Sequence, residues 1–424
     1  MSILRSFNIG VAGLSAAGSG LSVIGDNIAN AGTTGYKASR PEFQDVLATS
    51  LNGVSGGDQF GAGVRLAHIK PIMTQGNVTR TESITDLAIS GNGFFQVEAP
   101  FGKAFSRDGS FHFNKEGALV NSDGYKVMGF KADENNKITS KLEEIKVGNT
   151  AIGAKATKKV KISMNIDSRE EIKAFDPLKP DETSAYSNTL TVYDTVGTPR
   201  LVTMYFNKSA NNNWEYHAMA DGADIEGGAP GVLQEAGAGT IQFDDQGRLS
   251  LEQGAITFNF NKGAKPQVIE FDFGESITEG GDGLQASTQY GSTSTTARHE
   301  QDGFSAATLA SLSFNDNGIL TAVYDNGETK DISQMAIAKF ENNEGLFKMG
   351  KNLFQESKVS GQAAMGKPVT GGRGEIISKS LELSNVDIAS EFVNLMTSQR
   401  NFQASAKTLT TADQMIQEVF NIKR

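Results

Sequence analysis

Few residues in this sequence could do chemistry, and their spacing argues against each candidate. A Gly-x-Ser-x-Gly match occurs at Gly53, Ser55 and Gly57. A nucleophilic serine in this motif needs a strand before it and a helix after it. The match instead lies in a glycine-rich, nearly uncharged run from 50 to 63. Such a run predicts a flexible linker or an extended arm, not a catalytic turn.

Metal chemistry has equally little support. The four histidines are far apart and show no metal-ligand spacing: His68, His112, His217 and His299. The chain has no cysteine, which excludes disulfides, thiolate zinc sites and thiol nucleophiles together. We therefore expect no catalytic residue, no metal site, no cofactor-binding site and no cofactor.

The charge balance argues against a nucleic-acid partner. The formal net charge is −10, so the phosphate attraction that drives non-specific binding to nucleic acid is on balance replaced by repulsion. One basic cluster lies at Lys155, Lys158, Lys159 and Lys161, without interleaved aromatic residues, and predicts a solvated strand face. The apolar runs are too short to predict a membrane span, and the N-terminus lacks the pattern of a cleaved signal peptide.

The two ends of the chain carry the strongest pattern in the sequence. Near the N-terminus, apolar or small residues recur in steps of three and four, the 3.5-residue period of a coiled coil: Leu4, Phe7, Val11, Leu14, Gly18, Leu21, Gly25 and Ile28. The C-terminal seam follows the same steps: Ile388, Phe392, Leu395, Gln399, Phe402, Ala406, Leu409, Asp413, Ile416 and Phe420. We expect two helices that pair with each other through these seams.

Neither helix is typical of an isolated amphipathic helix capping a globular domain, although periodicity alone allows that alternative. Val393, Met396, Met415 and Val419 widen the C-terminal stripe beyond what one partner helix would cover. Gly18 and Gly25 each cost about 1 kcal/mol of helix stability relative to alanine. The many small residues between 12 and 20 allow close approach of neighbouring backbones, so we expect order to increase on assembly.

The middle of the chain is predicted to be mainly β. Asp-Gly and Asn-Gly steps mark turns between short strands: Asp108-Gly109, Asp123-Gly124, Asn317-Gly318 and Asn326-Gly327. We expect a terminal helical domain (1–30 and 383–424), an extended arm (31–70), an inner β domain (71–145 and 303–382) and an inserted outer β domain (146–302). The polar run from 280 to 296 is predicted to be a second linker.

Short motifs at both ends resemble the flagellar rod and hook axial protein family. The N-terminal motif runs from Asp26 to Asn30 and continues with Thr34-Gly35-Tyr36-Lys37; the C-terminal motif includes Ser384-Asn385-Val386-Asp387 and the runs 399–404 and 411–416. The segments 105–111 and 117–120 are similar to the first-domain hairpins of that family. Signature positions carried over are Asn27, Asn30, Gly35, Tyr36, Lys37, Asn385, Asp387, Gln399, Arg400 and Asp413.

The resemblance implies a polymerising structural protein of the bacterial flagellum. Within the family, a large inserted outer domain is typical of hook subunits, whose helical tube is a flexible joint that transmits torque and encloses the export channel. Implied partners are further copies of the chain, the distal rod protein, the hook–filament junction protein, the hook cap protein and the flagellar type III export apparatus. The implied location is the flagellum outside the cell, reached without signal cleavage.

Two alternatives remain at this point. A distal rod subunit would share both terminal motifs, but the inserted domain argues against it. A secreted β-rich enzyme or adhesin would need a catalytic constellation or a ligand groove, and the sequence shows neither. Asp26 and Phe402 depart from the asparagine and tyrosine that are common in the family, and neither departure changes the prediction.

Overall fold

The structure is a computed structural model of the 424-residue chain. It describes residues 2–47, 61–133, 136–148, 150–281, 283 and 286–422, without the side chains of 2–4 and 419–422. The chain divides into two compact units: unit 1 contains 1–148, 311–322 and 329–424, and unit 2 contains 149–310 and 323–328. Most of unit 2 is thus an insertion between two parts of unit 1.

Unit 1 begins with one helix and ten strands. They are α1 (Ser2–Ala29), β1 (Ser39–Leu47), β2 (Gly61–Pro71), β3 (Val78–Arg80), β4 (Leu87–Ser90), β5 (Phe94–Ala99), β6 (Gly102–Ser106), β7 (His112–Phe113), β8 (Leu119–Val120), β9 (Lys126–Ala132) and β10 (Ile138–Glu144). Helix α1 ends where Asn, Gly and Thr follow, as the sequence predicts.

The insertion is almost entirely β. It contains β11 (Ala151–Ile152), β12 (Lys159–Asp167), α2 (Pro180–Thr183), β13 (Tyr186–Tyr193), β14 (Pro199–Ala210), β15 (Asn213–Asp221), β16 (Leu233–Phe243), β17 (Leu249–Gln253), β18 (Ala255–Phe258), β19 (Gln267–Asp272), β20 (Thr288–Tyr290) and β21 (Thr295–Gln301).

The return segment adds nine strands and the second long helix. They are β22 (Ala307–Phe314), β23 (Ile319–Tyr324), β24 (Thr329–Met335), β25 (Ile337–Lys339), β26 (Phe347–Gly350), β27 (Leu353–Gln355), β28 (Ala364–Gly366), β29 (Glu375–Ser378), β30 (Ser380–Glu382) and, last, α3 (Ile388–Ile422). The predicted fold class, mainly β with helical ends, is confirmed. The four predicted domains, with their separate arm and helical domain, stay a prediction.

The β part of unit 1 is built from strands that come from both sides of the insertion. Strands β24, β9, β5, β6, β27 and β26 lie side by side in that order, and the pairs β4–β29 and β3–β30 join early residues to late ones. One core contains Phe95, Leu119 and Leu353, all at most 2% exposed. Early and late segments therefore share one hydrophobic core, so neither can bury its apolar surface alone.

Unit 2 is a sandwich of two five-stranded sheets around one core. One sheet has the order β13-β14-β15-β16-β17, and the other has the order β18-β19-β12-β20 with β21 also paired to β12. Alternating residues of β12 and of the 199–204 part of β14 point into the core, as expected for strands with one solvated face. The lone tryptophan, Trp214, is fully buried and its Nε1 donates to the side-chain oxygen of Gln289 at 3.0 Å.

Several hairpins use one turn pattern, Asn or Asp followed three residues later by Gly. At Asn121 the side-chain Oδ1 accepts from the backbone N–H groups of Asp123 and Tyr125 at 3.1 and 2.8 Å. Gly124 then adopts a φ of +80°, which glycine enters without a Cβ clash. The same pattern recurs at 114–117, 194–197, 244–247 and 315–318.

The predicted linker from 280 to 296 is wrong for the residues that the structure describes there. Residues 288–290 form β20 and residues 295–301 form β21, both paired with β12. Ser287, fully buried, donates from its hydroxyl to the Ile162 carbonyl at 3.1 Å. The polar composition misled the prediction because hydrogen bonds satisfy these buried polar groups inside the sheet.

The expectation that no segment could span a membrane also needs a correction. By length and composition alone, the Arg5–Ala29 part of α1 would suffice to cross one. Its Leu, Ile, Val and Ala residues and its few charged residues give a high average hydropathy, although Gly and Ser interrupt every run of large apolar residues. In unit 1 this helix pairs with α3 instead.

Candidate functional site: the paired helices and a buried charge cluster

Helices α1 and α3 pack against each other, with glycines of α1 facing α3. A Cβ placed on Gly13 would lie 2.9 Å from the Ser405 Oγ, and one placed on Gly10 would lie 3.3 Å from the Thr408 Oγ1. The helices therefore approach more closely at these points than larger residues would allow. Ala412 of α3 is also buried, at 5% exposure.

The predicted seams are only partly covered in the single chain. Half-buried members are Phe7, Leu14, Leu21, Ile28, Leu395, Leu409 and Ile416. Val11, Ile388, Phe392 and Phe402 are 43, 50, 51 and 37% exposed. Beside Gly18 and Gly25 there is open space. Leu4 and Phe420 have side chains outside the described part, and the seams as polymer contacts stay a prediction.

The glycines of α1 that approach α3 lie outside the predicted seam positions. Gly10, Gly13, Ala16 and Gly20 repeat at helical spacing, and Gly10, Ala16 and Gly20 are buried. A small-residue stripe at three- and four-residue steps was the signal that could have found this face.

Large apolar side chains remain exposed on both helices. They are Ile9, Val11, Ile388, Phe392, Val393, Met396, Phe402 and Met415, with exposures from 37 to 56%. Single exposed apolar residues are ordinary on a monomer, but eight on one helix pair exceed what solubility favours. Strands β1 and β2 form an antiparallel ribbon beside α1, where Phe43 lies close to Gly20.

Three buried charged residues meet in unit 1. Glu382 is fully buried, and its two carboxylate oxygens accept from the Lys37 Nζ at 2.5 Å and from the Arg107 Nη1 at 3.1 Å. Its Oε1 also accepts from the Gly76 backbone N–H at 2.9 Å. Burial lowers the pKa of both Lys37 and Arg107, and the neighbouring Glu382 carboxylate opposes that shift.

Two signature asparagines join the segments around this charge cluster. Asn27 donates to the Ser39 carbonyl at 2.8 Å and accepts from the Ser39 N–H at 2.9 Å. Asn385 accepts from the Ala38 N–H at 2.8 Å and donates to the Ile72 carbonyl at 2.8 Å. A carboxamide suits both places because it offers a donor and an acceptor at once.

The other N-terminal signature residues end α1 and fix the following turn. The Tyr36 hydroxyl donates to Asp26 Oδ2 at 2.9 Å, and the Lys348 ammonium lies 4.2 Å from the centre of the Tyr36 ring. Gly35 has a φ of +68°, and a Cβ there would lie 2.4 Å from the Asp108 nitrogen. The Asn30 amide donates to the Asp26 carbonyl at 2.9 Å.

At the C-terminal side, Asp387 caps the first turn of α3. Its Oδ1 accepts from the Ala389 and Ser390 N–H groups at 2.9 and 3.2 Å, which satisfies donors that a helix start leaves free. Gln399, Arg400 and Asp413 lie exposed farther along α3. The structure thus brings the signature residues from 27 to 37 together with Asn385, and places these three apart from them.

Arg107 and Glu382 were not among the predicted site residues, although both lie near the motifs. A charged residue is rarely fully buried without a partner. The sequence around Glu382 does not indicate its burial, because Glu382 simply follows Ser380 and Leu381. The partner Lys37 is 345 residues away along the chain. Only the fold shows that the two meet.

The residues considered for chemistry lie elsewhere and are dispersed. His217 stacks on Phe175 and pairs with Glu235 at 2.7 Å, whereas His68 lies exposed beside Glu42. Within the described residues, no group of three or more His, Asp or Glu could hold a metal ion. Lys159 and Lys161 both pair with Asp272. The motif at Gly53, Ser55 and Gly57 lies outside the described residues.

Four family descriptions match successive parts of the chain. They are "Flagella basal body rod protein" at 7–37, "Flagellar hook protein FlgE/F/G D1 domain" at 88–165, "Flagellar basal body protein FlaE D2 domain" at 164–304 and "Flagellar basal body rod FlgEFG protein C-terminal" at 377–422. Together with paired terminal helices and an inserted β unit, these matches define a structural axial protein of the bacterial flagellum.

Curated relatives show which family of axial proteins this chain is similar to. The chain is 31% identical over 430 residues to the flagellar hook protein FlgE of Escherichia coli, covering 99% of this chain and 100% of that one. It is 32% identical over 429 residues to FlgE of Salmonella typhimurium, with 99 and 100% covered, and 31% identical over 464 residues to FlgE of Treponema pallidum, with both chains fully covered. The chain belongs to the flagellar hook protein family.

A solved structure supports the fold. The crystal structure of the Helicobacter pylori flagellar hook protein FlgE2 is similar with a TM-score of 0.54, 15% sequence identity and coverage of 72% of this chain and 100% of that one. At this identity the likeness concerns the fold alone.

Proposed function

We propose that this chain is a structural subunit of a flagellar hook and polymerises into a helical tube. The observation that carries the proposal is the set of exposed apolar side chains on α1 and α3, which the single chain leaves uncovered. Burying such residues against further copies removes apolar surface from water and so favours assembly. No chemical step is needed, since association itself is the function.

The contacts between copies are heterologous. A patch that meets a different patch on the next copy generates an open helical array, whereas a self-complementary patch closes a dimer. Helix α3 suits this arrangement because exposed residues lie on more than one side: Phe392 and Val393 are adjacent in sequence and both more than half exposed. Such neighbours face different directions, about 100° apart around a helix.

The finer features of the proposal come from the family. The paired helices line a central channel, and the β units outside them slide on neighbouring copies as the tube bends and transmits torque. The proposed partners at the ends of the tube are the distal rod protein, the hook–filament junction protein and the hook cap protein. Export proceeds to the cell exterior through the flagellar type III apparatus, without a cleaved signal.

A pair of substitutions on one helix tests the proposal. Met396 is 52% exposed on α3, and Asn394 is an exposed polar residue two positions earlier. We expect Met396→Glu to leave the free energy of unfolding of the monomer within about 0.5 kcal/mol of wild type but to abolish polymers. Asn394→Glu, which adds the same charge, should still polymerise.

The readout is electron microscopy of the full chain after addition of ammonium sulfate, an excluded salt that strengthens apolar association. Short curved tubes from wild type support the hook proposal, and straight rigid rods would favour a distal rod subunit. If wild type stays monomeric, or if Met396→Glu polymerises as well as wild type, the proposed helical interface is wrong.

A further inference from the structure

The cluster of Lys37, Arg107 and Glu382 unites three distant parts of the chain. Lys37 and Glu382 are 345 residues apart, and Arg107 and Glu382 are 275 residues apart. The side chains are 1, 4 and 0% exposed in the order Lys37, Arg107, Glu382. A single carboxylate therefore pairs with two buried cations.

Among the described residues that bond to these two cations, Glu382 is the one that carries a carboxylate. Lys37 otherwise donates to the Thr74 carbonyl at 2.7 Å, and Arg107 donates to the Ile89 and Gly91 carbonyls at 3.2 and 2.6 Å. Neutral carbonyls orient a cation but do not neutralise it. Removing one partner from a buried ion pair leaves an uncompensated charge whose desolvation strongly opposes folding.

Glu382 also belongs to the segment that closes unit 1. Strand β30, which ends at Glu382, pairs with β3 through Thr79 and Leu381. The Glu382 carbonyl accepts from the Gly35 N–H at 2.7 Å, and the Leu383 N–H donates to the Asn77 carbonyl at 2.8 Å. The Glu382 carboxylate therefore enters its buried position when the 380–383 backbone pairs with the segments that follow α1.

We propose that Glu382 is a folding latch: the segments around Lys37 and Arg107 stay open until the return segment inserts this carboxylate between them. The two cations keep their water until then, because burying them earlier would leave like charges together in a low-dielectric core. A chain whose residues from 382 onward have not yet become available cannot close unit 1. The inference does not depend on the proposed function.

The proposed latch predicts which variants of the full chain are destabilised most. Lys37→Met leaves a balanced Arg107–Glu382 pair, whereas Glu382→Gln leaves two cations beside a neutral amide. We expect Glu382→Gln to speed native-state amide exchange at Gly35 and Gly76 by about a hundredfold or more. Lys37→Met should have a clearly smaller effect, and the double variant Lys37→Met/Glu382→Gln should exchange more slowly than Glu382→Gln alone.

Refolding with pulsed hydrogen exchange tests the timing. In wild type, the amides of Gly35 and Gly76 should gain protection in the same late phase as the β3–β30 ladder, after the local β5–β6 hairpin. Glu382→Gln should slow that late phase at least about tenfold and leave the β5–β6 hairpin phase unchanged. If Glu382→Gln does not fold, recovery of folding in the double variant is the expected result.

A buried ion cluster in unit 2, in which Arg200 bonds both Asp194 and Asp224, supplies the control. Arg200 and Asp194 are 2 and 1% exposed and lie six residues apart in sequence. Asp194→Asn should accelerate exchange in unit 2 and leave Gly35 and Gly76 at wild-type rates. The latch is refuted if Glu382→Gln refolds and exchanges like wild type, if Lys37→Met is as damaging as Glu382→Gln, or if the double variant brings no recovery.

Discussion

At the scale of single residues, the signature positions are explained by hydrogen-bond geometry. Asn27 and Asn385 each serve a donor and an acceptor of the backbone beside them, a task that Asp or Leu cannot perform. Gly35 combines a positive φ with a backbone contact that leaves no room for a Cβ. These residues fix how the end of α1 connects to the β part of unit 1.

Tyr36 makes the stability of unit 1 sensitive to alkali. Burial, helped by the hydrogen bond to Asp26, raises the pKa of the Tyr36 hydroxyl above its usual range. The unfolded chain loses the Tyr36 proton near the ordinary tyrosine pKa of about 10, whereas the folded chain still keeps it at that pH. This stabilisation is complete below that pH and declines as pH rises above it.

Tyr36→Phe should reduce that decline. At neutral pH the variant should lose about 1 kcal/mol of unfolding free energy, because the hydrogen bond to Asp26 is gone. Urea unfolding between pH 8 and 11 measures both effects. The explanation fails if the variant and wild type lose stability with the same slope above pH 10.

At the scale of elements, two glycines of α1 should respond differently to the same substitution. Gly18 has open space around it, so Gly18→Ala should raise the unfolding free energy by about 1 kcal/mol through helix propensity. Gly13→Ala gains the same propensity but brings a methyl group within 2.9 Å of the Ser405 Oγ. Its net effect should be smaller or destabilising.

Urea unfolding of the monomer compares the two variants. Equal stabilisation by Gly13→Ala and Gly18→Ala would show that α3 does not approach α1 at Gly13. If Gly18→Ala stabilises the monomer but weakens polymers, a neighbouring copy occupies the space beside Gly18, as the predicted seam requires.

The elements also show how far the sequence leads. Helix α1 and the turns at Asn121 and Asn315 could be predicted, because capping residues and Asn-x-x-Gly patterns act locally. Strands β20 and β21 could not, because they are polar and are ordered by pairing with β12. The meeting of Lys37 with Glu382 could not be predicted either, since it depends on the closure of unit 1.

At the scale of the whole molecule, charge and apolar surface act against each other. A net charge of −10 makes copies repel at long range, whereas the exposed residues of α3 attract at contact. We expect the lowest protein concentration that gives polymers to fall as sodium chloride rises from about 0.01 to 0.15 M, where the screening length shrinks from about 30 to 8 Å. Light scattering at fixed pH measures it, and a rise in that concentration would contradict this balance.

The pairing of α1 with α3 means that neither end of the chain is a safe place for a fused reporter. A probe is better placed within unit 2, where the side chain of Leu178 is 87% exposed. Because the natural sequence contains no cysteine, the substitution Leu178→Cys would create a unique thiol for a fluorescent dye. Growth of single tubes could then be followed by light microscopy without touching the helices that build them.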